Sequence, residues 1–77
     1  MNYIVMIADH DYGNIALIHN GNRYDIEVYI SGWGIKKRES FTNYDEAEAR
    51  YFEMCKNSHI TPVKVEHDEY AMMTNVD

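Results

Sequence analysis

Eight residues, Arg23 to Ile30, alternate without a break: Tyr24, Ile26, Val28 and Ile30 fall on one side of an extended chain, and Arg23, Asp25, Glu27 and Tyr29 on the other. A period of two belongs to an antiparallel strand with one packed face and one wet face. Asn20-Gly21 stands immediately before this run, and both residues tolerate the positive φ of a tight hairpin turn. Asn14 to His19 is then the partner strand. These two segments fix the chain as a hairpin-based sheet, and the remaining segments add to it.

The opening run Asn2 to Ala8 is rich in β-branched and aromatic residues and apolar on both alternations, which reads as a strand covered on both faces. It stops at a turn over Asp9 to Gly13. After Ser31-Gly32-Trp33-Gly34, the residues Ile35, Lys37, Glu39 and Phe41 alternate with Lys36, Arg38 and Ser40, giving a further strand. Its outward cations are expected opposite Asp25 and Glu27, where each cross-strand pair contributes about 0.2–1 kcal/mol.

At Thr42-Asn43 the period changes to 3.6. Asn43 is a capping residue with Glu46 three positions on, and Tyr44, Ala47, Tyr51 and Cys55 form one apolar stripe. Acidic residues fill the first turn and Lys56 the last, as the helix dipole favours. Glu46 and Arg50 have the spacing of an i,i+4 pair. Thr61-Pro62 forbids continuation, and Val63 to His67 alternates again as a short last strand. The expected fold is α+β: a four- to five-stranded antiparallel meander with one helix, about 43–57, packed on one face. Residues 1–77 form a single small domain whose last few residues are expected to be loose.

The chain has 77 residues, 13 acidic against 7 basic, a formal charge of −6, and one cysteine. A lone Cys55 excludes an intrachain disulfide and reads as a small buried hydrophobe in a reducing, cytoplasmic setting. No apolar run approaches the roughly 20 residues that span a bilayer, and the first residues lack the basic region of a signal peptide. The acidic surplus disfavours nucleic acid and suits basic protein partners.

No chemistry-bearing constellation stands out. Asp9, His10 and Asp11 are consecutive and diverge along an extended backbone. Cys55 and His59 have helical spacing but no second pair of ligands. Ser31-Gly32-Trp33-Gly34 opens no helix and so lacks a phosphate-binding dipole. The expectation is a non-enzymatic protein with no metal and no cofactor. Surface recognition remains, carried by aromatics and carboxylates. The candidate partner-binding residues are Tyr29, Glu27, Asp25, Trp33, Tyr12 and Asp11, with a second patch at Glu66, Asp68, Glu69 and Tyr70.

The tripeptide Asn14-Ile15-Ala16, the Asn20-Gly21 turn, the alternating strand, the second hairpin, Phe41 and the capped acidic helix resemble the small anti-CRISPR proteins of the type I-F inhibitor group over residues 1–55. The resemblance implies a phage- or mobile-element-encoded inhibitor that binds the protein part of a host CRISPR surveillance complex inside the host cytoplasm. Where that family's contact face uses two tyrosines and a glutamate, this chain has Met6 or Ile7, Ile18 and Tyr29.

Three readings of function follow. The first is a counter-defence inhibitor that occupies a basic surface of a host nucleoprotein complex. The second is a structural or assembly accessory acting as a homodimer. The third is a nucleic-acid binder using Trp33 and Lys36 to Arg38, which requires a stacking platform in a basic groove.

Overall fold

A computed structural model of the chain describes residues 2–65. Strands β1 (Asn2–His10), β2 (Gly13–Asn20), β3 (Arg23–Ile30) and β4 (Gly34–Phe41) are followed by helix α1 (Tyr44–Asn57) and a two-residue strand β5 (Val63–Lys64). All pairings are antiparallel, in the order β4-β3-β2-β1-β5. This is the expected α+β meander with one helix on its sheet. The last strand returns beside β1 and is shorter than the sequence pattern, whose Glu66 and His67 lie outside the described residues. The expected loose end also lies outside them.

Helix α1 begins where the capping residues place it. The Asn43 side-chain oxygen accepts from the Glu46 backbone N–H at 3.1 Å, and Asp45 and Glu46 occupy the first turn. The buried stripe is Ala47, Tyr51 and Cys55. It meets Met6, Ala8, Ile15, Leu17 and Ile26 to form the core, with Tyr24, Val28, Phe41 and Tyr44 packed around it. The Tyr51 hydroxyl donates to the Ile15 carbonyl at 2.9 Å, so the ring's polar tip is satisfied inside the core.

Two register shifts change what strict alternation predicts. In β1, Ile4 pairs with Ile18 but Met6 pairs with Leu17, so Val5 is an extra residue. Residues on either side of a bulge exchange faces. Met6 and Ala8 therefore point to the helix, whereas Ile4 and Ile7 both point away from it. The Val5 carbonyl accepts from Val65 N–H at 3.0 Å, which helps dock the last strand.

In β4 the shift falls at Lys36, between the Lys37–Val28 and Ile35–Tyr29 pairs. Ile35, expected on the face of Lys37 and Glu39, lies instead beside Tyr29 on the opposite face. Lys36, expected to alternate with Arg38, is the residue displaced from the ladder.

Gly13 starts β2 where backbones crowd. A Cβ at this position would stand 1.9 Å from the Tyr29 carbonyl oxygen. Gly13→Ala is expected to destabilise the domain by about 3 kcal/mol, the upper range for forcing atoms into a filled site. Urea denaturation checks this, and an unchanged midpoint would show that the turn gives way.

Candidate functional site

The face of the sheet away from α1 carries a second apolar surface. Directly paired residues share a face, so Ile4 with Ile18, Ile7 with Ala16 and Val63, and Tyr29 with Ile35 lie together there. Ile4, Ile7, Ala16, Ile18, Tyr29 and Ile35 line a shallow dish of about 380 Å³. Ile35 and Val63 are more than half exposed, and Tyr29 is 41% exposed. No described element covers this face, because α1 lies on the other side.

Two oppositely charged pairs lie along this face, Arg23 with Asp25 and Arg38 with Glu27. Two guanidinium nitrogens of Arg38 reach one carboxylate oxygen of Glu27, at 2.8 and 2.9 Å. Asp25, expected on a wet face as a contact residue, is instead buried at 2% exposure. Its carboxylate accepts from Ser40 Oγ at 2.7 Å, Asn20 Nδ2 at 3.0 Å and Arg23 Nε at 3.2 Å. Burial pushes its pKa up, but these donors more than offset that and hold it below the usual carboxylate range. Short polar neighbours on β2 and β4 thus close over it, and burial keeps Asp25 out of a partner's reach. The expected cross-strand pairing of Arg38 with Glu27 is present, while Lys37 turns to Glu39 at 3.1 Å on the helix side.

At one end of the sheet two turns stand side by side. Ser31 N–H donates to the Tyr12 carbonyl at 2.7 Å, tying the β3–β4 turn to the β1–β2 turn. Trp33 is 84% exposed and Tyr12 73% exposed. Asp11 is exposed in the same turn. Ile30, Trp33, Ile35 and Lys36 bound a second hollow of about 280 Å³. Ile35 borders both hollows, so the Trp33 turn and the open face form one continuous surface. The structure therefore brings Tyr29, Glu27, Trp33, Tyr12 and Asp11 to that face and its end. Glu66, Asp68, Glu69 and Tyr70 lie outside the described residues.

On the helix side, Arg50 does not pair with Glu46. It holds Glu39 through Nε and a terminal nitrogen, both at 3.0 Å, and also reaches Glu53. Glu39 lies across the sheet edge from the helix, so a forked contact there outcompetes the neighbour on the helix. Hydrogen bonding from Arg50, with Lys37 beside it, lowers the Glu39 pKa to about 2. A lowered carboxylate pKa stabilises the fold above the unfolded value and loses that contribution as pH falls toward the folded one. Stability is expected to fall between about pH 4.5 and 2, and Glu39→Gln should flatten that stretch of a pH series of thermal midpoints. A slope equal to that of the parent chain would contradict this.

Among the described residues, the cysteine thiol is poorly placed for reaction chemistry. Cys55 is 1% exposed, and burial pushes its thiol pKa up despite a lowering contact from Tyr51. A buried neutral thiol is a weak nucleophile. Among the described residues no three His, Cys, Asp or Glu side chains stand close enough to hold a metal ion. His19 stacks on Tyr24 at 4.7 Å with Tyr3 against its edge, a packed aromatic row continued by Tyr44.

No family model, curated protein or solved structure matches the chain.

The apolar members of that surface, Ile4, Ile7, Ala16, Ile18 and Ile35, were not among the residues expected to bind. One signal for them is in the sequence. β1 and β2 are apolar on both alternations, and the sequence pattern offers one amphipathic helix, 43–57, to cover them.

Proposed function

We propose that the chain is a non-enzymatic, protein-binding inhibitor of the counter-defence kind, which lays the open face of its sheet on a protein subunit of a host nucleoprotein complex. The observation that carries this reading is the apolar dish that no described element covers, continuous with Trp33 and Tyr12. Exposed apolar patches rimmed by polar residues mark interaction sites. The family's contact residues do not transfer to this chain, which has other residue types at those positions, so the resemblance bears on the kind of protein and not on the face. Of the positions set against that family's contact residues, Ile7, Ile18 and Tyr29 belong to the open face, whereas Met6 is buried in the core.

The chemistry of contact differs from a simple acidic patch on a basic one. Asp25 and Glu27 are engaged by Arg23 and Arg38, so recognition rests on apolar and aromatic area. Engagement of Lys37 and Arg38 by Glu39 and Glu27 likewise removes two of the three cations from a nucleic-acid platform at the Trp33 turn.

The test is plaque formation on a host with an active type I-F defence. Expression of the chain should restore plaques of a targeted phage. Undiminished restriction, with the folded protein present in the cell, would contradict the reading.

A further inference from the structure

We propose that the open face also takes a second copy of the chain, so that the free protein is a face-to-face, two-fold symmetric dimer that must open before this face can reach a target. The proposal rests on the reading of the open face as the contact surface, and adds how that surface is covered when no target is present.

Charge is the first argument. The chain carries −6 overall, which disfavours close approach of two copies. On the open face and its end, however, Arg23 stands with Asp25 and Arg38 with Glu27, while Asp9, paired with Asn14, adds a carboxylate and Lys36 a cation, three of each sign. Two copies can thus meet through a balanced surface. A two-fold contact must also be complementary to itself, and a rim bearing both signs around an apolar centre meets that condition. A strongly basic partner would gain little from carboxylates already held.

Area is the second argument. Four long strands about 4.8 Å apart and eight residues long, at about 3.3 Å per residue, offer a footprint of roughly 500 Å² on each copy. Two such footprints give about 1,000 Å², the lower limit of a specific interface. That size fits a dimer that forms reversibly, as a protein that must release its face for a target requires.

The sheet edges are the competing route, and their chemistry opposes it. β4 is an outer strand, but it is interrupted by the shift at Lys36 and carries Lys36, Lys37 and Arg38. Bulges and cations on an edge strand hinder pairing with another sheet. The other edge is occupied by β5 at Met6 and Ile7.

The experiment is sedimentation equilibrium of the full chain over about 1–500 µM, at about 0.15 and 1 M salt, a range that separates apolar from charge-driven contact. The expected result is a rise from one to two copies with a midpoint of tens of micromolar and little change with salt. Ile35→Glu should shift the midpoint at least about tenfold, since it places a charge in the desolvated contact. Phe52→Glu, at an exposed position on the helix, should leave it unchanged. A single copy throughout, a dimer dissolved by salt, or equal sensitivity to both substitutions would overturn the proposal. Plaque assays report on the inhibitor reading separately: a monomer that restores plaques refutes only the dimer, and a dimer that does not restore them refutes only the inhibitor.

Discussion

Tyr51→Ala is expected to remove about 3–5 kcal/mol of the domain's stability. Tyr51 is fully buried at the centre of α1, and among the described residues it is one of the largest side chains with no exposure. Removing a buried aromatic ring costs about 3–5 kcal/mol, because the transfer energy is lost and the cavity collapses only in part. A domain of this length has a total stability of only about 4–12 kcal/mol. The loss is compounded at the ring's polar end. The hydroxyl donates to Ile15 on β2, so one side chain links the helix stripe to the middle of the sheet. Tyr51→Phe keeps the volume and isolates the hydrogen bond, with an expected cost of about 1 kcal/mol. Urea unfolding followed by far-ultraviolet circular dichroism measures both. A Tyr51→Ala loss below about 2 kcal/mol would mean that the core repacks around the hole.

Ile35→Glu is expected to have the opposite profile, with folding nearly unchanged and association lost. Ile35 is 52% exposed, so its replacement removes little buried area, and the cost to stability is expected to stay within about 1 kcal/mol, the span of strand preferences. It nevertheless stands where the dish and the Trp33 hollow meet. A carboxylate there would be desolvated without a partner in any apolar contact. The expected loss of affinity for the target is about 30-fold or more, equivalent to about 2 kcal/mol and the size of an interface hot spot. Fluorescence offers a simple readout, since Trp33 is 84% exposed in the free chain. Its emission should move to shorter wavelength when the parent chain binds and stay in place for the variant. A variant that binds as tightly as the parent would remove Ile35 from the contact.

Much of the fold is legible from sequence because each element carries its own local rule. Arg23 to Ile30 alternates cleanly, Asn20-Gly21 supplies a turn, and Asn43 caps a helix whose stripe is spaced at 3.6. The bulges at Val5 and Lys36 are not legible in the same way. A bulge adds one residue to one strand, and its position is decided by the ladder as a whole. Both bulges bear on the site. One turns Ile4 and Ile7 to the same face, and the other moves Ile35 from the helix side to the open side.

The charged residues show a similar divide. Alternation places Asp25 and Glu27 on the face away from the helix, which is where they lie. It does not reveal that Ser40, Asn20 and Arg23 close around Asp25, because those partners come from three strands. Arg50 prefers Glu39 on the sheet to Glu46 on its own helix for the same reason. A carboxylate count therefore overstates how much negative charge this face presents.

The isoleucine methyl spectrum, titrated with a purified type I-F surveillance complex, tests the contact surface most directly. Isoleucines are distributed over both sides of the sheet, with Ile4, Ile7, Ile18 and Ile35 on the open face and Ile15 and Ile26 in the core. Binding through the open face predicts that the first four signals shift or broaden while those of Ile15 and Ile26 hold their positions. Unperturbed signals from all four, in a titration where the complex is shown to bind, would contradict it.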